Sequence, residues 1–221
     1  MTFIYRPEKA LLELDGRFHS PVDPADFPQH TIRWRNQRWA EQVGLGAFSD
    51  AEWIEHFGRF TPLQGSLPKP LAQAYHGHQF QVYNSQIGDG RGFTFAQLRD
   101  GRGRLLDLGS KGSGRTPWSR TGDGRLTLKG GVREIMASSM LEAFGVNTSK
   151  TFSLIETGEQ LARHDEPSPT RSSCCFDRFR RWPGFPWPLS GSASEMPQPV
   201  SVTAMHQSVR PSRPATRSSD S

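Results

Sequence analysis

The chain has 221 residues, a length that suits one ordinary domain of ~100–200 residues with a remainder and is short for two. Its hydrophobic fraction is 34%, with Gly 22 and Pro 17, a loop-rich composition in which no stretch approaches the ~20 consecutive apolar residues of a membrane-spanning helix. Lys+Arg 27 against Asp+Glu 22 leaves a net charge of +5, which suits a phosphate-bearing ligand but is too dispersed to demand nucleic acid. Residues 1–13 lack the basic-then-apolar order of a secretory signal, so a soluble cytoplasmic protein is expected. Cys174 and Cys175 are adjacent, which neither staples a fold nor spaces a zinc site, and a reducing compartment is the simplest reading.

In chain order, residues 31–45 carry Ile32, Trp34, Trp39 and Val43 near helical spacing and stop at Gly44 and Gly46, predicting a first helix. Ser49-Asp50-Ala51-Glu52 is a capping box that opens a short helix ending at Gly58. Residues 92–98 and 105–111 are rich in strand formers and flank Asp100-Gly101, predicting an antiparallel hairpin. Residues 112–124 read as a polar, glycine-rich loop. Val132, Ile135, Met136, Met140, Leu141 and Phe144 then recur at three- and four-residue steps before Gly145, predicting an amphipathic helix. Two further strands are expected at 151–155 and 160–163, around Thr157-Gly158.

From residue 164 the composition changes. The segment to 221 holds nine of the 17 prolines, both cysteines and no lysine, and its apolar residues follow no helical or strand period. Scattered aromatics between prolines bury too little area to offset ~1–2 kcal/mol of backbone entropy per residue, so a disordered tail is expected. Its aromatic content is odd for an evolved linker, and from about Ser172 it reads as translation in a shifted frame. The expected class is α+β, in three parts: an N-terminal segment 1–70, a nucleotide-contacting lobe 71–163 and the tail 164–221.

The order glycine-rich turn, strand ending in lysine, and helix with an early glutamate is the order protein kinases place around ATP phosphates. Here the parts are Gly88-Asp89-Gly90-Arg91-Gly92, Lys111 and Glu134. Alternate glycines let backbone N–H groups approach phosphate oxygens, and arginine adds planar donors. A turn of this kind also serves a plain hairpin, and Glu134 also reads as a glutamate favoured near a helix start. The run from Lys111 through Gly112, Gly114, Arg115, Thr116, Ser119, Arg120, Gly122 and Gly124 to Arg125 concentrates glycines, hydroxyls and arginines as a loop closing on an anion does. Neither Walker nor Rossmann glycine spacing is present.

The segments Tyr75-His76-Gly77-His78-Gln79-Phe80, Gln86-Ile87-Gly88-Asp89-Gly90-Arg91, Lys111-Gly112-Ser113-Gly114-Arg115-Thr116-Pro117-Trp118-Ser119-Arg120, Gly122-Asp123-Gly124-Arg125 and Arg133-Glu134 resemble the selenoprotein O (SelO, YdiU) protein adenylyltransferases over residues 1–163. The resemblance implies a protein-kinase-like N-terminal lobe that holds ATP in reversed orientation. AMP then moves to Ser, Thr or Tyr hydroxyls of client proteins with Mg or Mn. It assigns the nucleotide to Gly88, Gly90, Arg91, Lys111, Asp123 and Gly124, with Glu134 pairing the lysine. It assigns no catalytic or metal-holding residue to this chain, because the family's catalytic acid and metal ligands lie past the resemblance, and it therefore implies a truncated, inactive fragment. A metal shared by His76 and His78 is disfavoured for want of a third ligand. The alternative is a non-enzymatic nucleotide- or nucleic-acid-binding module, which the spread of arginines from Arg171 to Arg217 disfavours.

Overall fold

The computed structural model describes residues 3–79, 81–161 and 172–181. Its centre is the expected hairpin, β6 (Gly92–Arg99) and β7 (Leu105–Lys111), paired from Arg99 opposite Leu105 to Gly92 opposite Lys111. The buried carboxylate of Asp100 ties the turn by accepting from the backbone N–H groups of Arg102 and Arg104, each at 2.9 Å, and from the Arg104 guanidinium. Burial alone would raise the Asp100 pKa, but these donors win and hold it below the usual carboxylate range.

Around the hairpin lie β1 (Pro7–Glu8), β2 (His19–Pro21), β3 (Thr31–Arg35), α1 (Gln37–Gln42), α2 (Asp50–Phe57), β4 (Leu71–Gln79), β5 (Val82–Gly88), α3 (Leu128–Ala143), β8 (Lys150–Gln160) and β9 (Ser172–Arg181). Among the described residues the strands make one antiparallel sheet in the order β2-β4-β6-β7-β9-β8-β3, with β1 added to β6 and β5 to β4. The α+β class holds.

Both short helices start where their side chains dictate. Ser49 and Glu52 form the capping box of α2, and Gly58 ends it. Asn36 caps α1 by accepting from the Trp39 N–H at 3.2 Å, while its own amide donates to the Thr151 carbonyl at 2.9 Å. Trp39, Trp53 and Phe57 of these helices enter the main core with Phe93, Phe95, Phe152 and Phe179. The buried Trp53 indole N–H keeps a partner there, the Ser153 hydroxyl at 2.9 Å. A smaller cluster of Leu154, Cys174 and Phe176 receives Leu126, Leu128 and Ile135 from α3 and its approach.

Three expectations need correction. Residues 31–35 are strand, not helix, because Ile32 and Trp34 find edge pairing along β8 opposite Ile155 and Leu154; the helix begins only after Asn36. No turn separates two strands at Thr157-Gly158: β8 runs on through an irregularity that Gly158 absorbs at φ +74° and ends at Gln160, while residues 162–163 of the second expected strand lie outside the described residues. The third correction concerns the supposed tail: Ser172–Arg181 is β9, an interior strand paired on one side to β7 and on the other to β8. It is buried on both faces, Cys174 and Phe176 in the smaller cluster and Cys175 and Phe179 in the main core. Such a strand shows no polar–apolar alternation, so its pattern is illegible as a strand. The rest of the expected tail, 164–171 and 182–221, lies outside the described residues. Among the described residues no helix is long and apolar enough to cross a membrane.

One residue of β9 is costly where it stands. Asp177 is fully buried, and neither carboxylate oxygen has a hydrogen-bond partner. Burial pushes its pKa up to about 8. Ser110, opposite it on β7, pulls the value down without overcoming burial. The folded protein therefore keeps Asp177 protonated where the unfolded chain, near 3.8, does not. The stability tied to that proton is complete below the unfolded value and is lost as pH rises through the folded one. Between about pH 4 and pH 8 the contribution should fall by roughly 1.4 kcal/mol per pH unit. Asp177→Asn keeps the shape and removes the charge. The wild-type minus variant difference in denaturation free energy should carry this slope, and parallel pH profiles for the two proteins would refute it.

Candidate functional site

A cleft of about 840 Å³ opens where β5 runs into β6, lined among others by Tyr75, the Gly88–Arg91 turn, Lys111, Trp118, Arg120, Asp123 and Arg178. Its geometry starts from the glycines. At Gly88 an added Cβ would sit 2.3 Å from the Trp118 indole, and at Gly90 it would sit 2.7 Å from the Trp118 carbonyl oxygen, so the glycine-rich loop lies against the turn only because both side chains are missing. Two hydroxyls of the loop complete the clasp. Thr116 Oγ1 donates to the Asp89 carbonyl at 2.5 Å and Ser119 Oγ to the Gly90 carbonyl at 2.7 Å, while the Thr116 N–H donates to Ser119 Oγ at 2.8 Å. The Asp89 N–H donates to the Gln73 carbonyl at 2.9 Å, fixing the other side of the turn to β4.

Asp123 closes the far end of the loop. Its carboxylate accepts from Arg91 Nε at 3.1 Å and from the Arg120 N–H at 2.9 Å. The Arg91 side chain is 78% exposed, so the ion pair orients the guanidinium more than it stabilises the fold. Gly124, at φ +83°, lets the loop turn back, its carbonyl accepting from the Gly114 N–H at 3.2 Å.

Lys111 ends β7 between Gly92 of β6 and Phe176 of β9. Its ammonium forms an ion pair with Glu134 Oε1, and Arg178 Nη1 lies 3.7 Å from Glu134 Oε2. α3 starts at Leu128 with Thr127 as its cap, so Glu134 stands in the second turn and not the first. The helix macrodipole, confined to the terminal turn, does not account for it; the two cations do.

Of the residues singled out from sequence, the fold brings Gly88, Gly90, Arg91, Lys111 and Asp123 to the cleft wall. Gly124 is one residue behind it, and Glu134 stands behind Lys111. Arg178 is not legible as a site residue because β9 carries no strand pattern, and Trp118, Thr116 and Ser119 are visible in the sequence only as part of a polar loop. Their signal was the spacing, two hydroxyls three residues apart with a large aromatic between. Four cationic side chains, Arg91, Lys111, Arg120 and Arg178, face the cleft with two carboxylates, Asp89 and Asp123. That balance, with glycine backbone at the wall, fits a polyanion.

Among the described residues no three His, Cys, Asp or Glu side chains group as a metal site, and the side chain of His76 lies outside them. The cysteines are no nucleophiles: burial pushes the Cys174 thiol up to about 12 and Cys175 well above its usual value.

A family model described as "Protein adenylyltransferase SelO" matches residues 3–182. "Protein nucleotidyltransferase YdiU" of Synechococcus elongatus is 53% identical over 183 residues, 82% of this chain and 36% of that protein. Proteins of the same description from a Synechocystis strain and from Aeromonas salmonicida are 51% and 34% identical over 79% and 80% of this chain. The chain thus spans a little over a third of the length of these relatives, and the match includes β9.

Thr116→Val should release the loop from the turn by removing its bonds to Asp89 and to the Trp118 N–H, at a cost of about 1 kcal/mol. Tryptic cleavage at Arg115 or Arg120 should accelerate in Thr116→Val and stay near wild type in Thr116→Ser. Equal cleavage rates in all three proteins would show that the hydroxyl does not hold the loop.

Proposed function

The chain belongs to the SelO family, and we propose that it forms the ATP-contacting, kinase-like lobe of a protein adenylyltransferase. The observation that carries this reading is the Lys111–Glu134 ion pair beside a cleft walled by the glycine turn. The substrate is ATP. Lys111 neutralises phosphate charge, and Glu134 keeps its ammonium from wandering into solvent. Gly88 and Gly90 let the backbone approach phosphate oxygens, and Arg91, held by Asp123, adds donors in a fixed plane. Arg120 and Arg178 face the same space and belong to the same anion site.

The reaction is attack of a client Ser, Thr or Tyr hydroxyl on the α-phosphorus, with pyrophosphate leaving and AMP retained on the oxygen. A divalent cation, Mg or Mn, supplies charge neutralisation between phosphates when bound. The described residues do not fit it: Asp123 is committed to Arg91 and the Arg120 backbone, and no metal-ligating group forms around it. We assign the cation's ligands and the general base to the part of the longer relatives that this chain does not match. The 221-residue chain on this reading holds nucleotide without transferring AMP.

Titration with a fluorescent ATP analogue tests the binding half. Lys111→Ala should weaken binding at least about tenfold, equivalent to ~1.4 kcal/mol, with little change in Tm because the ion pair is partly exposed. Unchanged affinity would remove Lys111 from the site, and steeply salt-dependent binding of a generic oligonucleotide without ATP binding would favour a nucleic-acid module. Incubation with ATP labelled on the α-phosphate tests the other half. No label should reach the chain or a bystander protein with Mg or Mn, and labelling above background would overturn the assignment of catalytic groups elsewhere.

A further inference from the structure

Helix α3 packs Leu128, Gly131 and Ile135 on the smaller cluster and yet carries a second apolar stripe on its outer side. Glu134, Ser138 and Glu142, spaced by four, face the sheet, and each is engaged there. Glu134 meets Lys111 and Arg178, and Ser138 Oγ is hydrogen-bonded to Thr151 Oγ1. Glu142 accepts from Trp39 Nε1 at 3.2 Å and Arg38 at 2.8 Å and pairs with Lys150 at 3.2 Å. Val132, Met136, Met140 and Phe144, also spaced by four, point away; Met136 is 59%, Met140 56% and Phe144 77% exposed. The stripe runs about 18 Å along the helix, and the exposed Val146 extends it. A solvated helix face carries charge at these positions; a continuous apolar one marks a contact.

We propose that this stripe is the docking face for the part of the polypeptide that, in the longer relatives, lies outside the stretch matched by this chain. Two observations choose that occupant. The chain spans 36% of the Synechococcus elongatus relative, so most of such a protein is available to cover it. The described chain also leaves the sheet beside the stripe: Phe179, near the end of β9, pairs with Lys150, which follows α3 by only a short connection. The Phe179 end of β9 therefore lies beside the strand start that follows the Phe144 end of α3. Seating that polypeptide on α3 also sets the helix that carries Glu134, so docking and the Lys111 pair are mechanically linked. The docking face goes beyond the nucleotide reading, and its test reads folding and association without ATP.

In the decisive experiment, residues 1–181 are joined to the remainder of the Synechococcus elongatus relative and compared with the 221-residue chain alone. The pair Met136→Glu and Met140→Glu is introduced into both, with Ser139→Glu, on the exposed polar side of α3, as control. The pair should lower the Tm of the joined protein by about 5 °C or more, leave the 221-residue chain nearly unchanged, and exceed the control. In trans, the remainder of the relative co-expressed with the 221-residue chain should copurify, and the same pair should cut recovery at least about tenfold. No effect on the joined protein and on copurification would overturn the proposal, as would equal destabilisation of both proteins. A dimer of the 221-residue chain that the substitutions dissociate would give the face to a second copy instead.

Discussion

Everything in this fold depends on β9 lying between β7 and β8. Among the described residues, the strands β2, β4, β6 and β7 form one half of the sheet and β8 and β3 the other, and β9 is the strand that pairs with both. Each neighbour contributes a row of backbone donors and acceptors that need partners once buried, and β9 satisfies both rows at once. Its side chains then supply both clusters, Cys175 and Phe179 on the main-core face and Cys174 and Phe176 toward α3. Gly131, the one buried residue of that helix, lets it come close, since a Cβ there would sit 2.4 Å from Leu154 Cδ1 and 2.9 Å from Cys174 Sγ.

The same strand carries two residues that do not serve apolar packing. Arg178 reaches the cleft and the far oxygen of Glu134, so the strand that joins the half-sheets also delivers a cation to the anion site. Asp177 is buried between Ser110 and Ser153 of the neighbouring strands, and the fold tolerates it by keeping it protonated. A buried neutral acid costs far less than a buried carboxylate, which is why the penalty appears as pH dependence and not as a failure to pair.

The site has a layered construction. Lys111 is fixed by strand pairing, Glu134 by the second turn of α3, and the turn Gly88–Gly92 by loop hydroxyls that hold its carbonyls. None of these groups is rigid alone. Rigidity comes from each being held by an element whose own position is set elsewhere, α3 by the polar contacts of Glu134, Ser138 and Glu142. The helix meets its sheet through these polar groups and through Leu128, Gly131 and Ile135, and its outer apolar stripe is left for a further contact, so the site and the outer surface share one support.

How much of this the sequence disclosed follows from the range of the interactions. The capping box at Ser49, the β6–β7 hairpin and the extent of α3 past Val132 rest on contacts within a few residues, and local pattern determined them. The glycine turn, Lys111 and Glu134 were legible as candidates because glycine spacing and a lysine at a strand end are local chemistry too. Residues 31–35 became strand only because β8, more than a hundred residues on, offered an edge. The meeting of Lys111 with Glu134, the clasp of Thr116 and Ser119 on the turn, and the arrival of Arg178 each join distant segments, and no local period encodes them. β9 is the limiting case. A strand buried on both faces has no solvent side to impose alternation, so only the tertiary structure, by placing hydrogen-bonding neighbours on both edges, decided that these residues are a strand at all.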